Sequence, residues 1–185
     1  GDDGIVAKLR TGAAILACAT VPPHFARAMA TRCAAMGVLY LDAPISGGSI
    51  KASLGKLSIM SSGTPEAFSA VQPVLKSISE TVFALGDDVG AGSAMKAVNQ
   101  LLAGVHIAAM AEALTFGMTQ GVTPEKFVEV ISKCAGTSWM LENRAPHIGD
   151  GDYTPHSSVN IWPKALGIVL DVAKNAKFDA PIASA

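Results

Sequence analysis

The chemistry open to this chain sits in two short stretches. The first is Gly90-Ala-Gly-Ser-Ala-Met-Lys96-Ala-Val-Asn-Gln100, where Asn99 and Gln100 follow Lys96 by three and four positions. On a helix both amides share a face with the amine and can orient a hydroxyl or a carboxylate beside it. A lysine in the first turn of a helix opposes the macrodipole, and partial burial disfavours its charged form. Both effects lower its pKa from ~10.4, the direction a catalytic base needs. The bland reading of the same residue is a lysine that snorkels to solvent from a helix end. The second stretch is Ser46-Gly47-Gly48-Ser49, which follows Asp42-Ala-Pro-Ile. Consecutive glycines let backbone N–H groups turn toward an anion, and Ser46 adds a hydroxyl donor. A plain turn would use the same residues.

Other chemistries find little support. His24, His106, His147 and His156 lie far apart without metal-ligand spacing, so no metal site is expected. Asp87-Asp88 has the composition of a metal ligand pair, yet reads more simply as a solvated turn. No GxSxG accompanies Ser46 or Ser49. Cys18, Cys33 and Cys134 are odd in number and form no CxxC, which fits a reducing, cytoplasmic compartment. A net charge of −1 with mixed signs invites neither nucleic acid nor a membrane surface.

The elements that must position these residues follow from periodicity. Residues 90–120 read as one long helix, with Met95, Val98, Leu102, Val105, Ala109, Ala113 and Phe116 on one face and Lys96, Asn99, Gln100, Ala103 and His106 on the other. No formal charge falls between Lys96 and Glu112. Such a helix is expected to be buried nearly all round, between domains or subunits. It makes a poor membrane span, because the uncharged run is shorter than ~20 residues and carries Asn99, Gln100 and His106.

Upstream, residues 13–19 predict a strand buried on both faces of a parallel sheet. Pro22-Pro23 opens a helix to about Met36, capped by Gly37, and residues 38–42 form the next strand, completing a βαβ unit. Residues 57–60 and 82–85 predict two more strands around a helix over 65–77. Downstream the pattern is wholly helical, over 124–134, 138–147 and 157–176, with Trp139 and Met140 read as core. The fold class is therefore α/β over residues 1–90, followed by an all-helical domain over 91–185 and joined to it by the long central helix.

Taken together, Asp42-Ala-Pro-Ile-Ser-Gly-Gly48, the Lys96 stretch and the helical second half resemble the β-hydroxyacid dehydrogenase family, which includes 3-hydroxyisobutyrate dehydrogenase and tartronate semialdehyde reductase. Leu101-Leu-Ala-Gly-Val-His-Ile-Ala-Ala109, Ser138-Trp-Met-Leu-Glu-Asn-Arg144 and Gly151-Asp-Tyr-Thr-Pro155 are most similar to its L-threonate dehydrogenase branch. The resemblance implies a Rossmann-type domain, NAD or NADP as cofactor, and a small hydroxy acid as substrate. It makes Lys96 the general acid/base and assigns the substrate carboxylate to Ser46, Gly47 and Gly48. The family usually has a second asparagine four residues after the lysine; here Gln100 stands there, preceded by Asn99, and both are read as substrate-binding.

Thr20 matches a threonine on the nicotinamide side of the cofactor. Lys164 matches a cofactor-contacting lysine in a Lys-Asp-Leu-Gly motif whose aspartate is Ala165 here. The family's GxGxxG loop is not among these 185 residues. The chain therefore reads as a partial NAD-binding domain plus a helical domain cut short at its C-terminus, inactive as it stands and homo-oligomeric in full-length form. The rival reading is a non-catalytic oligomerisation or binding module.

Overall fold

The computed structural model describes residues 4–155 and 157–185. After a 3-10 turn at Ile5–Lys8, the apolar run forms β1 (Ala14–Ala17), and Pro22-Pro23 starts α1 (Pro23–Ala34). Gly37, at φ 66°, reverses the chain into β2 (Leu39–Asp42), which pairs parallel to β1 from Ala14↔Leu39 to Ala17↔Asp42. The βαβ unit is thus present. β1 is half-buried rather than covered on both faces, because among the described residues β2 is its only paired neighbour.

Beyond Asp42 the glycine loop resolves into β3 (Ile45–Ser46) and α2 (Gly48–Ser53). Both are too short for a period to be legible in sequence. β4 (Leu57–Ser61) pairs antiparallel to β3, and an Asp42↔Ser62 bridge continues that pairing. α3 (Pro65–Ile78), capped by Thr64, then leads to β5 (Ser79–Ala84), parallel to β4. The arrangement is mixed rather than all parallel, since residues 47–56 are fewer than the dozen or so that a parallel crossover needs. Leu41, Ala43, Leu57, Ile59, Ala67, Val71 and Leu75 form its core.

The long helix is α4 (Ala91–Thr119), followed by α5 (Pro124–Ile131), α6 (Trp139–Gly149), α7 (Ile161–Asn175) and α8 (Pro181–Ser184). Thr123 and Ser138 cap α5 and α6 with their hydroxyls, accepting from the N–H groups of Lys126 and Leu141. α4 packs on β2, β4 and α1 near its start and on α5, α6, α7 and α8 along its length. Met110 and Leu114 meet Phe127, Leu141 and Ala145, while Ala97 meets Val169 and Ala183.

Within a single chain α4 is not buried all round. Its neighbours lie on one side, so Lys96, Ala97, Met110 and Leu114 are buried, whereas Met95, Val98, Leu102 and Phe116 are 45–66% exposed. The face that looked like core from its apolar stripe points outward, and the face bearing the lysine points in. Similarly, Met140 is buried but Trp139 is half exposed. α4 is long and apolar enough to cross a membrane by length and composition, with an 18-residue window of mean hydropathy 1.5. Its first turn is nonetheless bound to the sheet by polar groups.

Gly167, inside α7, has open space where a Cβ would stand and no positive φ. Gly167→Ala is therefore expected to raise stability by ~0.5–1 kcal/mol, the helix-propensity difference, in denaturant unfolding.

Candidate active site

The site begins with a carboxyl group at the end of β2. Asp42 is fully buried, and its Oδ2 accepts from the backbone N–H of Gly90 (3.1 Å) and Ser93 (2.8 Å) and from the Ser62 hydroxyl (3.3 Å). Its Oδ1 accepts from the Ser93 hydroxyl (2.7 Å), and Ser62 Oγ accepts from Gly92 N–H (3.0 Å). Those contacts serve the orphan donors at the start of α4, whose own N-cap, Gly90, offers no side chain. Gly92 permits the approach: a Cβ there would lie 2.4 Å from the Met60 carbonyl oxygen and 3.1 Å from that of Asp42.

One turn beyond Ser93 stands Lys96, only 8% exposed. Burial pushes its amine down to about 8. Lys96 lies in the second turn of α4 rather than the first, and desolvation is the cause of the shift. Asn99 and Gln100 are half-buried on the same side, and the Asn99 amide donates to Gln100 Oε1 at 3.1 Å. Ser46 ends β3, four residues after Asp42, and is half-buried; Gly47 (φ 133°) and Gly48 (φ 66°) lead into α2. A Cβ on Gly47 would lie 2.7 Å from that of Lys51, so the loop needs glycine for space as well as for φ. The Ser46 loop and Lys96 thus both depart from the Asp42 junction.

Thr20 is half-buried in the β1–α1 connection, at the same carboxyl end of the parallel pair as Asp42. Lys164 is exposed in the first turn of α7. There Leu166 packs over Gly104 on α4, eight residues, or ~12 Å along the helix, from Lys96. Lys164 thus precedes by two residues a contact that lies well along α4 from Lys96. Asp87 and Asp88 lie in an exposed bend, and no three His, Cys, Asp or Glu side chains gather among the described residues. His156 falls outside those residues. An open groove of about 650 Å³ between α1 and the start of α4 is lined by Arg27, Thr31, Asp88 and Gly90 and contains none of Lys96, Ser46 or Thr20.

Residues 90–185 match the family model described as the NAD-binding region of NADP-dependent 3-hydroxyisobutyrate dehydrogenase, and residues 1–86 match that of the NAD-binding domain of 6-phosphogluconate dehydrogenase. The chain belongs to the 3-hydroxyisobutyrate dehydrogenase family. It is 50% identical over 185 residues to an L-threonate dehydrogenase of Cupriavidus necator, covering all of this chain and 62% of that protein. The L-threonate dehydrogenase of Escherichia coli K12 is 43% identical over 184 residues, at 100% and 61% coverage. Among solved structures, a 3-hydroxyisobutyrate dehydrogenase of Salmonella typhimurium superposes with a TM-score of 0.92 at 42% identity, covering 98% of this chain and 64% of that one. The chain thus spans about three fifths of the length of the curated relatives it matches.

Within this family's α/β and helical architecture, Asp42, Ser62 and Ser93 are the site residues that motif reading passed over. Asp42 and Ser93 stand inside the Ser46 and Lys96 stretches with no role that spacing assigns, and Ser62 lies in neither. They matter because the fold joins residues 30 to 51 positions apart.

Proposed function

We propose that the full-length protein is an NAD- or NADP-dependent oxidoreductase that acts on the hydroxyl of a 3-hydroxy acid, with a four-carbon sugar acid of the L-threonate type as its substrate. The observation that carries this reading is the buried Lys96 amine, lowered to about 8, beside Asn99 and Gln100 and one turn from the helix start held by the sheet. The relatedness to L-threonate dehydrogenases supports the substrate class. Lys96 takes the hydroxyl proton, the Ser46-Gly47-Gly48 loop holds the carboxylate, and Asn99 and Gln100 orient the remaining hydroxyls. Residues 1–90 form part of the cofactor-binding domain and 91–185 the helical substrate domain in this reading.

The cofactor fits these residues only in part. β1 runs into α1 through Cys18-Ala-Thr-Val-Pro22, with prolines where a phosphate-binding loop would present glycines and N–H groups. Thr20 suits the nicotinamide end, and Lys164 is assigned to the cofactor by resemblance. When bound, a nicotinamide would supply the hydride acceptor; the proton chemistry belongs to Lys96.

The protein is read as cytoplasmic, from its three free cysteines, and as a homo-oligomer. The exposed Met95, Val98, Leu102 and Phe116 stripe supports self-association. It is also the observation that favours the rival reading of an oligomerisation module. A substrate panel on the full-length protein separates the two. A four-carbon polyhydroxy acid is expected to show kcat/KM at least ~10-fold above 3-hydroxyisobutyrate, whose methyl leaves Gln100 unpaired.

In the oxidation direction kcat should rise with pH as Lys96 loses its proton and level off above about 8. In the reductive direction, where the protonated amine is required, kcat should fall through the same region. The reverse substrate order refutes the sugar-acid assignment, and a flat profile refutes the role of Lys96. No turnover with any hydroxy acid leaves the module reading.

A further inference from the structure

We infer that Asp42 is a positioning residue for Lys96, fixing α4 on the sheet so that the amine and the Ser46 loop keep one relative placement. This inference rests on the proposed dehydrogenase reading. Helix starts are ordinarily capped by a serine, threonine, aspartate or asparagine of their own segment. α5 and α6 are capped that way, by Thr123 and Ser138. α4 is not: its N-cap is Gly90, and its first turn holds no acidic residue. Its first N–H groups are instead served from the sheet, by Asp42 for Gly90 and Ser93 and by Ser62 for Gly92.

A local cap would satisfy those donors and leave the helix free to shift and rotate as a unit. A cap supplied from β2 removes that freedom, because Asp42 is itself held in the sheet: its N–H donates to the Ser62 carbonyl (3.1 Å) and its carbonyl accepts from Ser62 N–H (2.8 Å). Both carboxyl oxygens are engaged, Oδ1 by the Ser93 hydroxyl and Oδ2 by three donors, which fixes the rotation of the first turn as well as its position. Lys96 stands three residues beyond Ser93, and Ser46 four residues beyond Asp42. The lock therefore sits where the amine and the carboxylate loop diverge.

The test is a set of variants in the full-length protein, each checked for folding by thermal melting. Ser93→Ala removes the Oδ1 partner with little change of volume and is expected to lower kcat ~10-fold or more, with the cofactor KM within about twofold of wild type, as expected of a misplaced catalytic group. Asp42→Ala should cost more, ~10². Asp42→Asn should recover most of that loss, since the amide oxygen can accept from Gly90 and Ser93 while its NH₂ donates to Ser93 Oγ.

The decisive comparison uses Lys96→Ala as background, where adding Ser93→Ala or Asp42→Ala is expected to cause no further fall. Hydrogen exchange over residues 90–96 should quicken in the Asp42 and Ser93 variants. Losses that multiply with Lys96→Ala, or a folded Ser93→Ala with kcat within about twofold of wild type, overturn the inference while leaving the function standing. If Asp42→Ala fails to fold, Ser93→Ala carries the decision. If Lys96→Ala itself turns over at the wild-type rate, the functional reading falls and the positioning role falls with it.

Discussion

Lys96→Ala in the full-length protein is expected to lower kcat by at least ~10², the lower end of what a positioned acid/base contributes, with cofactor affinity nearly unchanged. The amine is the group on α4 that combines burial with a lowered pKa, and Asn99 and Gln100, bonded to each other beside it, offer no basic atom to take its place. Steady-state kinetics in both directions, with a cofactor titration, measure both parts of this expectation. A variant within a few-fold of wild type would remove Lys96 from the chemistry. Lys96→Arg should fail as well, because a guanidinium stays protonated and cannot accept the hydroxyl proton.

A comparable loss is expected from Gly92→Ala, a change that removes no polar group. Its Cβ would lie 2.4 Å from the Met60 carbonyl oxygen, backbone of a sheet strand that cannot swing aside as a side chain would. Relief requires the start of α4 to move by roughly 1 Å, and a displacement of that size at a catalytic group can cost ~10² in rate. Gly104→Ala is the control. Its Cβ would meet the Leu166 side chain at 2.9 Å, which can change rotamer, and it lies two turns beyond Lys96. Gly92→Ala should therefore lower kcat far more than Gly104→Ala, and lower thermal stability more as well. Equal effects would mean that the sheet contact of α4 does not govern the amine.

Parts of the fold were legible because they depend on near neighbours in the chain. Prolines at 22–23, 65 and 124 mark helix starts, Thr64 and Thr123 cap the helices that follow, and Gly37 marks a reversal. β3 and α2 were not legible, and with them the reversal of strand direction, since a two-residue strand exists only through its partner Ile59 and Ser58. Local energies decide the first group and pairing across the chain decides the second.

For the site, the sequence by itself determined that Lys96 shares a helix face with Asn99 and Gln100, because 3.6 residues per turn admits no other arrangement. A lowered pKa followed from the sequence only on the condition that the lysine face packs, since burial is what shifts the amine. Which face packs was decided only by the tertiary structure. Judged by hydrophobicity the Met95, Val98, Leu102 and Phe116 stripe should be inside, yet the lysine face is the one turned in. The reason is the junction at the start of α4. Gly92 lets the helix approach the sheet along that side, and Asp42 and Ser62 draw it in with hydrogen bonds that a buried carboxyl group must have. No spacing rule connects residue 42 to residue 93, so that choice of face exists only once the sheet has formed.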